Sequence, residues 1–345
     1  MYKNILSKLT TRQDLTEQEI SDLISTIARD EISDVQISGF QVALLMKSPT
    51  LSETVAIARA MRDNCVQLKP KVSAPLMDTC GTGGGLSTFN ISTATAIVAA
   101  AAGIPVAKHG SRSISSLSGS ADVLEALDVN INLTPPQAEK LIEDIGIAFL
   151  YAPLFHPVMC KVLPPETELG IKTIFYTIIG PLINPAFASR HILGVYKLGI
   201  LDTVTEVAKD LGYTDALFVH GLDGLDEISL MGATRINELR NGEVTTYEIT
   251  PEQFGLKRCM LEDIKTGTPE ANARRIRDVF SKKDTGPCRD AILMNAAGAL
   301  LIGNRVSNFA DGIKMAAELI DSGAAERKLE ELQKASNAFL FRYGA

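Results

Sequence analysis

Apolar positions recur at helical spacing through residues 1–66. Ile20, Leu23, Ile24 and Ile27 mark one helix face, and Thr16 with Glu19 forms the capping box that opens such a helix. Ser33 and Gln36 repeat the device ahead of Ile37, Phe40 and Leu44, and Val55, Ala58 and Met61 give a third stripe. These stripes predict a small all-helical N-terminal domain over residues 1–68. The polar stretch 69–75, carrying Pro70 and Pro75, is the kind of segment that joins domains.

Beyond it, short apolar runs of strand length alternate with helical stretches. Residues 76–80, 104–107, 147–151, 192–196 and 216–220 read as strands, and 92–102, 121–127 and 134–146 as helices. Strands separated by helices predict an α/β domain with a mainly parallel central sheet and helices on both faces. Residues 235–249, with Asn241-Gly242 between alternating segments, read as a hairpin on a type I′ turn. After Thr268-Pro269 the chain is mostly helical. The large domain is expected over 72–165 and 186–345.

Composition narrows the partners. With 345 residues and 46% of them hydrophobic, the chain can fill more than one ordinary core. Thirty-four basic against 41 acidic residues leave a net charge of −7, which disfavours nucleic acid or an anionic membrane as a bulk partner. No run reaches the length of a membrane span. Met1-Tyr2-Lys3-Asn4 lacks the basic-then-apolar pattern of a secretion signal, so a cytoplasmic location is expected. The five cysteines are scattered without metal spacing and read as reduced thiols in packing positions.

Three loops carry candidate chemistry. Gly81-Thr82-Gly83-Gly84-Gly85 follows a strand and precedes a helix, where backbone N–H groups can approach an anion closely. Its spacing excludes both the dinucleotide fingerprint and the P-loop. Residues 108–122, with Lys108, His109, Arg112 and several serines and glycines, follow the next strand and so emerge at the same edge of a parallel sheet. Adjacent carboxylates at Asp226 and Glu227, again just after a strand, suit Mg²⁺ beside phosphate.

At these residues the chain resembles the anthranilate phosphoribosyltransferase family. Gly81-Thr82-Gly83-Gly84, Asn90-Ile91-Ser92-Thr93, Lys108-His109-Gly110, residues 118–127, Asp226-Glu227, Gly180-Pro181-Leu182, Asn184-Pro185-Ala186 and Asn295-Ala296-Ala297 match its motifs. The resemblance implies a helical domain, completed by a segment returning at about 166–184 and hinged to the large α/β domain, and a homodimer formed through the helical domain. It implies a donor site for phosphoribosyl diphosphate at Gly81, Thr82, Gly83, Gly84, Thr88, Asn90, Ser92, Thr93, Lys108 and Ser120. Ser92, Asp226 and Glu227 would hold Mg²⁺, two ions in all. His109, Gly110, Ser111, His156, Glu166 and Pro181 would surround an aromatic nitrogen acceptor, by family habit anthranilate. The reaction needs no covalent nucleophile: an amine displaces diphosphate, and positioning with charge neutralisation does the work.

Three positions depart from the family pattern. Gly85 stands where the glycine loop usually ends in aspartate, and Ser111 where asparagine follows Lys-His-Gly. Glu166 occupies the place of an arginine that pairs with the carboxylate of anthranilate, and an anion there would oppose it. Lys172 offers a compensating charge. A phosphoribosyltransferase with a different acceptor is therefore one alternative. A pyrimidine nucleoside phosphorylase is another, opposed by the intact Asp226-Glu227 pair. A nucleic-acid-binding relative is opposed by the net charge. His191 and His220 lie outside the motifs and read as structural.

Overall fold

The computed structural model describes residues 1–113 and 117–340. Part of the serine-rich loop, residues 114–116, lies outside them.

Four helices open the chain: α1 (Tyr2–Thr10), α2 (Glu17–Ala28), α3 (Asp34–Lys47) and α4 (Leu51–Asp63). Both expected capping boxes form, Thr16 with Glu19 and Ser33 with Gln36, and Thr50 with Glu53 adds a third. The stripes pack α1 on α3 and α2 on α4. The connecting segment is tied down rather than loose, since the backbone N–H groups of Lys69 and Lys71 donate to Glu139 and Glu143 at 2.6 and 2.7 Å.

Seven strands form one sheet: β1 (Met77–Asp78), β2 (Val106–Gly110), β3 (Ile147–Tyr151), β4 (Arg190–Gly194), β5 (Asp215–Gly221), β6 (Thr234–Arg240) and β7 (Glu243–Ile249). The order is β3-β2-β1-β4-β5-β6-β7, parallel through β5 and antiparallel thereafter. The β6–β7 turn has Asn241 at φ 52° and Gly242 at φ 81°, as a type I′ turn requires. Strand alternation divides the apolar residues between two cores. Ile192, Leu217 and Val219 face a cluster with α5 (Ile91–Ala101) and the helix Pro287–Ile302, whereas Leu193, Phe218 and Leu239 face the opposite one.

That second cluster is continuous with the N-terminal helices. After α6 (Ser120–Ala126), α7 (Pro135–Ile145) and the short α8 (Ala152–Phe155), helix α9 (Pro157–Leu169) buries Val158 and Val162 in it, packed on α2 and α3. The return to the helical layer thus begins near residue 157, ahead of the expected 166. Pro164 and Pro165 lie inside α9 instead of ending it. A π-helical turn, Phe175–Ile179, completes the excursion and buries Phe175, Ile178 and Ile179 in the same cluster.

Candidate active site

Loops leaving the carboxyl ends of β1, β2 and β5 converge with α9 and the π-helical turn around a cleft of about 990 Å³. This is where an open parallel sheet binds ligands. The β1 loop is shaped by close backbone contact. Thr82 N–H donates to the Gly194 carbonyl at 2.8 Å, and a Cβ on Gly81 would meet that same oxygen at 3.0 Å. Gly83 and Gly84 adopt φ 62° and 87°, the left-handed region that favours glycine.

Asp78 holds the site together from below. Its Oδ1 accepts from the backbone N–H groups of Thr79, Cys80 and His109 at 2.6, 3.1 and 3.1 Å, and its Oδ2 accepts from Asn184 Nδ2 at 2.7 Å. Three segments are thereby locked to one buried carboxylate. Its pKa lies below the ordinary value: burial opposes ionisation, but His191, His109 and Lys108 outweigh it. Asp78, Cys80 and His109 each offer a ligand atom within 4.8 Å of the others. Asp78 is already saturated by these donors, so the cluster is a hydrogen-bonded support. His191 belongs to it, with Nε2 2.8 Å from the Cys80 carbonyl.

The predicted donor residues gather at the cleft with two exceptions. Gly81, Thr82, Gly83, Gly84, Thr88, Asn90, Ser92 and Ser120 line it. Lys108 lies beneath the lining, its Nζ donating to Thr79 Oγ1 at 3.1 Å and Ser92 Oγ at 3.4 Å. Burial lowers its pKa, an effect that Asp78 partly offsets. Thr93 faces inward instead, its hydroxyl unpartnered beside Lys108 and Phe149. Asn90 acts as a joint: Nδ2 donates to the Ser118 carbonyl at 3.2 Å, and Oδ1 accepts from Ser118 Oγ at 3.1 Å and Asn272 Nδ2 at 3.0 Å.

Asp226 and Glu227 line the cleft beside the glycine loop, and no ion pair to either is formed among the described residues. Desolvation pushes Asp226 up to about 6 and Glu227, further raised by its neighbour, up to about 8. Two adjacent carboxylates without an ion-pair partner fit a divalent cation, as Mg²⁺ takes one or two carboxylates, waters and phosphate oxygens. Asn295 sets their frame. Its Oδ1 accepts from Ile228 N–H at 2.9 Å, and its Nδ2 donates to the carbonyls of Ile228 and Ala291 at 3.0 Å each. The supporting roles of Asp78 and Asn295 are not legible in the sequence, because nothing in the chain shows that a carboxylate at a strand end or an amide inside a helix meets a distant loop.

On the acceptor side, His109 and His156 meet edge to face at 4.8 Å between ring centroids. Both line the cleft, and His109 Nε2 and both ring nitrogens of His156 have no protein partner. Burial depresses His109 to about 4 and His156 well below its ordinary value, so both rings are neutral near pH 7. Gly110, Ser111 and Pro181 also line the cleft. Glu166 does not. Its carboxylate turns into the helical layer, where Gln41 Nε2 donates to it at 3.0 Å and the Thr173 hydroxyl closes a short hydrogen bond. The expectation that Glu166 faces the acceptor is corrected, because two polar partners inside the bundle hold its carboxylate away from the cleft lining. His220, with Nδ1 2.6 Å from the Val195 carbonyl, is buried and structural. All five cysteines are free.

The profile described as "Glycosyl transferase family, helical bundle domain" matches residues 3–65, and that described as "Glycosyl transferase family, a/b domain" matches residues 73–326. The anthranilate phosphoribosyltransferase of Acetivibrio thermocellus is 46% identical over 341 residues, covering 99% of this chain and 98% of that protein. The one from Desulfosudis oleivorans is 44% identical over 96% of this chain and 98% of its own length. Among solved structures, the Thermus thermophilus enzyme superposes with a TM-score of 0.89 at 38% identity, covering 96% of this chain and 99% of that one. The Saccharomyces cerevisiae enzyme in complex with PRPP and Mg gives 0.89 at 28% identity, with 98% of each chain covered. Fold, cleft and sequence agree: the chain belongs to the anthranilate phosphoribosyltransferase family of glycosyl transferases.

Proposed function

We propose that this protein transfers the 5-phosphoribosyl group from phosphoribosyl diphosphate to the nitrogen of anthranilate, releasing diphosphate, as a step of tryptophan biosynthesis. The observation that carries the reading is one cleft holding the glycine loop, the Asp226–Glu227 pair and two neutral imidazoles. The relatives of that name support the acceptor, as does the yeast enzyme solved with 4-fluoroanthranilate, 27% identical with a TM-score of 0.87.

The amides and side chains from Gly81 to Ser92 cradle the diphosphate and ribose, with Lys108 charging the site from beneath. Ser92, Asp226 and Glu227 hold Mg²⁺, two ions by the family pattern, and the metal supplies charge neutralisation of the leaving diphosphate. His109 and His156 orient the aromatic amine. With a pKa of about 4, His109 is too weak a base to keep the amine's proton and works by positioning. An acceptor without a carboxylate is the second reading, favoured by the absence of an arginine free of carboxylate partners among the described cleft-lining residues.

Diphosphate release with Mg²⁺, phosphoribosyl diphosphate and either anthranilate or uncharged aromatic amines tests both. Saturable turnover with anthranilate is expected. Turnover confined to the uncharged amines would overturn the assignment.

We also read the exposed face of α3 as the contact of a homodimer. Val35, Val42 and Met46, 81%, 41% and 68% exposed, recur at helical spacing with Leu45 beside them. Sedimentation should give twice the chain mass, and Met46→Asp with Val42→Asp should halve it. No helix among the described residues is long and apolar enough to cross a membrane.

A further inference from the structure

Two side chains of the returning segment reach across the cleft to the glycine-rich loop. Lys172 Nζ lies 3.4 Å from the point a Cβ would occupy on Gly84, and the Tyr176 hydroxyl lies 3.6 Å from that of Gly83. The ammonium stands 5.2 Å from the centroid of the Tyr176 ring, a cation–π contact that keeps it over the loop. Both residues line the cleft although they belong to the helical layer and not to the sheet.

The other basic groups here are already committed. Arg112 pairs with Asp122 at 2.8 Å and Glu125 at 2.6 Å. Lys108 is buried against Thr79 and Ser92, its charge set against Asp78 and Glu227. Lys172 makes no ion pair among the described residues and has only the Tyr176 ring. A cation held beside the two left-handed glycines of an amide cradle lies within reach of an anion seated there, since an ammonium-to-phosphate hydrogen bond spans about 2.7–2.9 Å.

We propose that Lys172 is a ligand of the donor's diphosphate, supplied by the helical layer and positioned by Tyr176. The proposal rests on the donor reading above and adds to it a ligand from outside the sheet: a diphosphate bound to the sheet-borne loop also contacts the helical layer through this ammonium. The alternative source of the anion is the carboxylate of the acceptor. Proximity to Gly84 favours the diphosphate.

Titration calorimetry of the full chain with Mg²⁺ and phosphoribosyl diphosphate, and separately with Mg²⁺ and inorganic diphosphate, tests it. Lys172→Gln should weaken both about tenfold or more, K172R should stay within about threefold, and Tyr176→Leu should fall between. The KM for anthranilate should move less than about twofold in Lys172→Gln. Residue 172 is exposed, so a melting curve matching the parent confirms intact folding. Equal donor affinity in parent and Lys172→Gln would overturn the inference and leave the donor reading standing. A change confined to the anthranilate KM would also overturn it, assigning the ammonium to the acceptor. Failure of the parent chain itself to bind the donor would remove the donor reading with it.

Discussion

A Cβ on Gly85 would lie 2.7 Å from Oδ1 of Asp226, and 3.0 Å from the Gly224 carbonyl. The glycine loop and the acidic loop therefore touch at a point where no side chain fits. The family's usual aspartate is missing at residue 85, and the Asp226 carboxylate fills that space. Gly85→Asp should push Asp226 aside and set a second carboxylate against it, raising the Mg²⁺ concentration for half-maximal diphosphate release about fivefold or more. An unchanged Mg²⁺ requirement would show that the acidic loop has slack the packing does not reveal.

Asn295 supports the same loop from the opposite side. Asn295→Ala strands both backbone groups of Ile228 in a buried setting, and losing three hydrogen bonds there costs about 2–4 kcal/mol. A lower urea midpoint is expected, together with a raised Mg²⁺ requirement in the folded fraction. A loss of stability with unaltered Mg²⁺ dependence would confine Asn295 to packing.

Three buried imidazoles make the stability of the fold sensitive to acid. Burial holds His109 at about 4 and His191 below its ordinary value, and His156 well below it. The unfolded chain takes up these protons as pH falls through about 6.5 while the folded chain resists them. The histidine contribution to stability is therefore full above about 6.5 and declines toward about 4, by about 3 kcal/mol for His109 alone, while Asp226 and Glu227, raised to about 6 and about 8, contribute with the opposite sign as pH falls. Denaturation midpoints at pH 7, 6 and 5 measure the slope, and His156→Gln should lose less stability on acidification than the parent. An identical pH profile in the parent and His156→Gln would refute the assignment of a neutral His156 ring.

Glu53 anchors the helical domain. Its Oε1 accepts from Leu15 N–H at 2.9 Å, and its Oε2 accepts from Thr50 N–H at 2.8 Å and Lys47 Nζ at 2.6 Å. Glu53→Ala leaves the Lys47 ammonium with Asp14 alone and strips the Leu15 and Thr50 N–H groups of their acceptor, a loss of about 2–3 kcal/mol. Thermal melting should show it, while donor affinity per folded molecule stays unchanged because residue 53 is remote from the cleft.

Much of this protein is written locally and needs no tertiary information. Capping boxes at Thr16 and Ser33, the Asn241-Gly242 turn and the strand runs are set by neighbours within a few positions, and the structure repeats them. The loops that meet at the cleft are legible for the same reason, since alternating strands and helices place them at one sheet edge. What a side chain faces was decided only by the fold. Thr93 and Glu166 stand at positions matched to the site, yet one turns into the core and the other into the helical layer, where Gln41 and Thr173 hold it. Asp78, Asn184 and Asn295 bind segments 67 to 106 residues away, at distances along the chain where no periodicity survives. Residue type fixes which bonds a group can make, while packing selects among distant partners, because a buried polar atom must be satisfied by whatever the tertiary structure brings within about 3 Å.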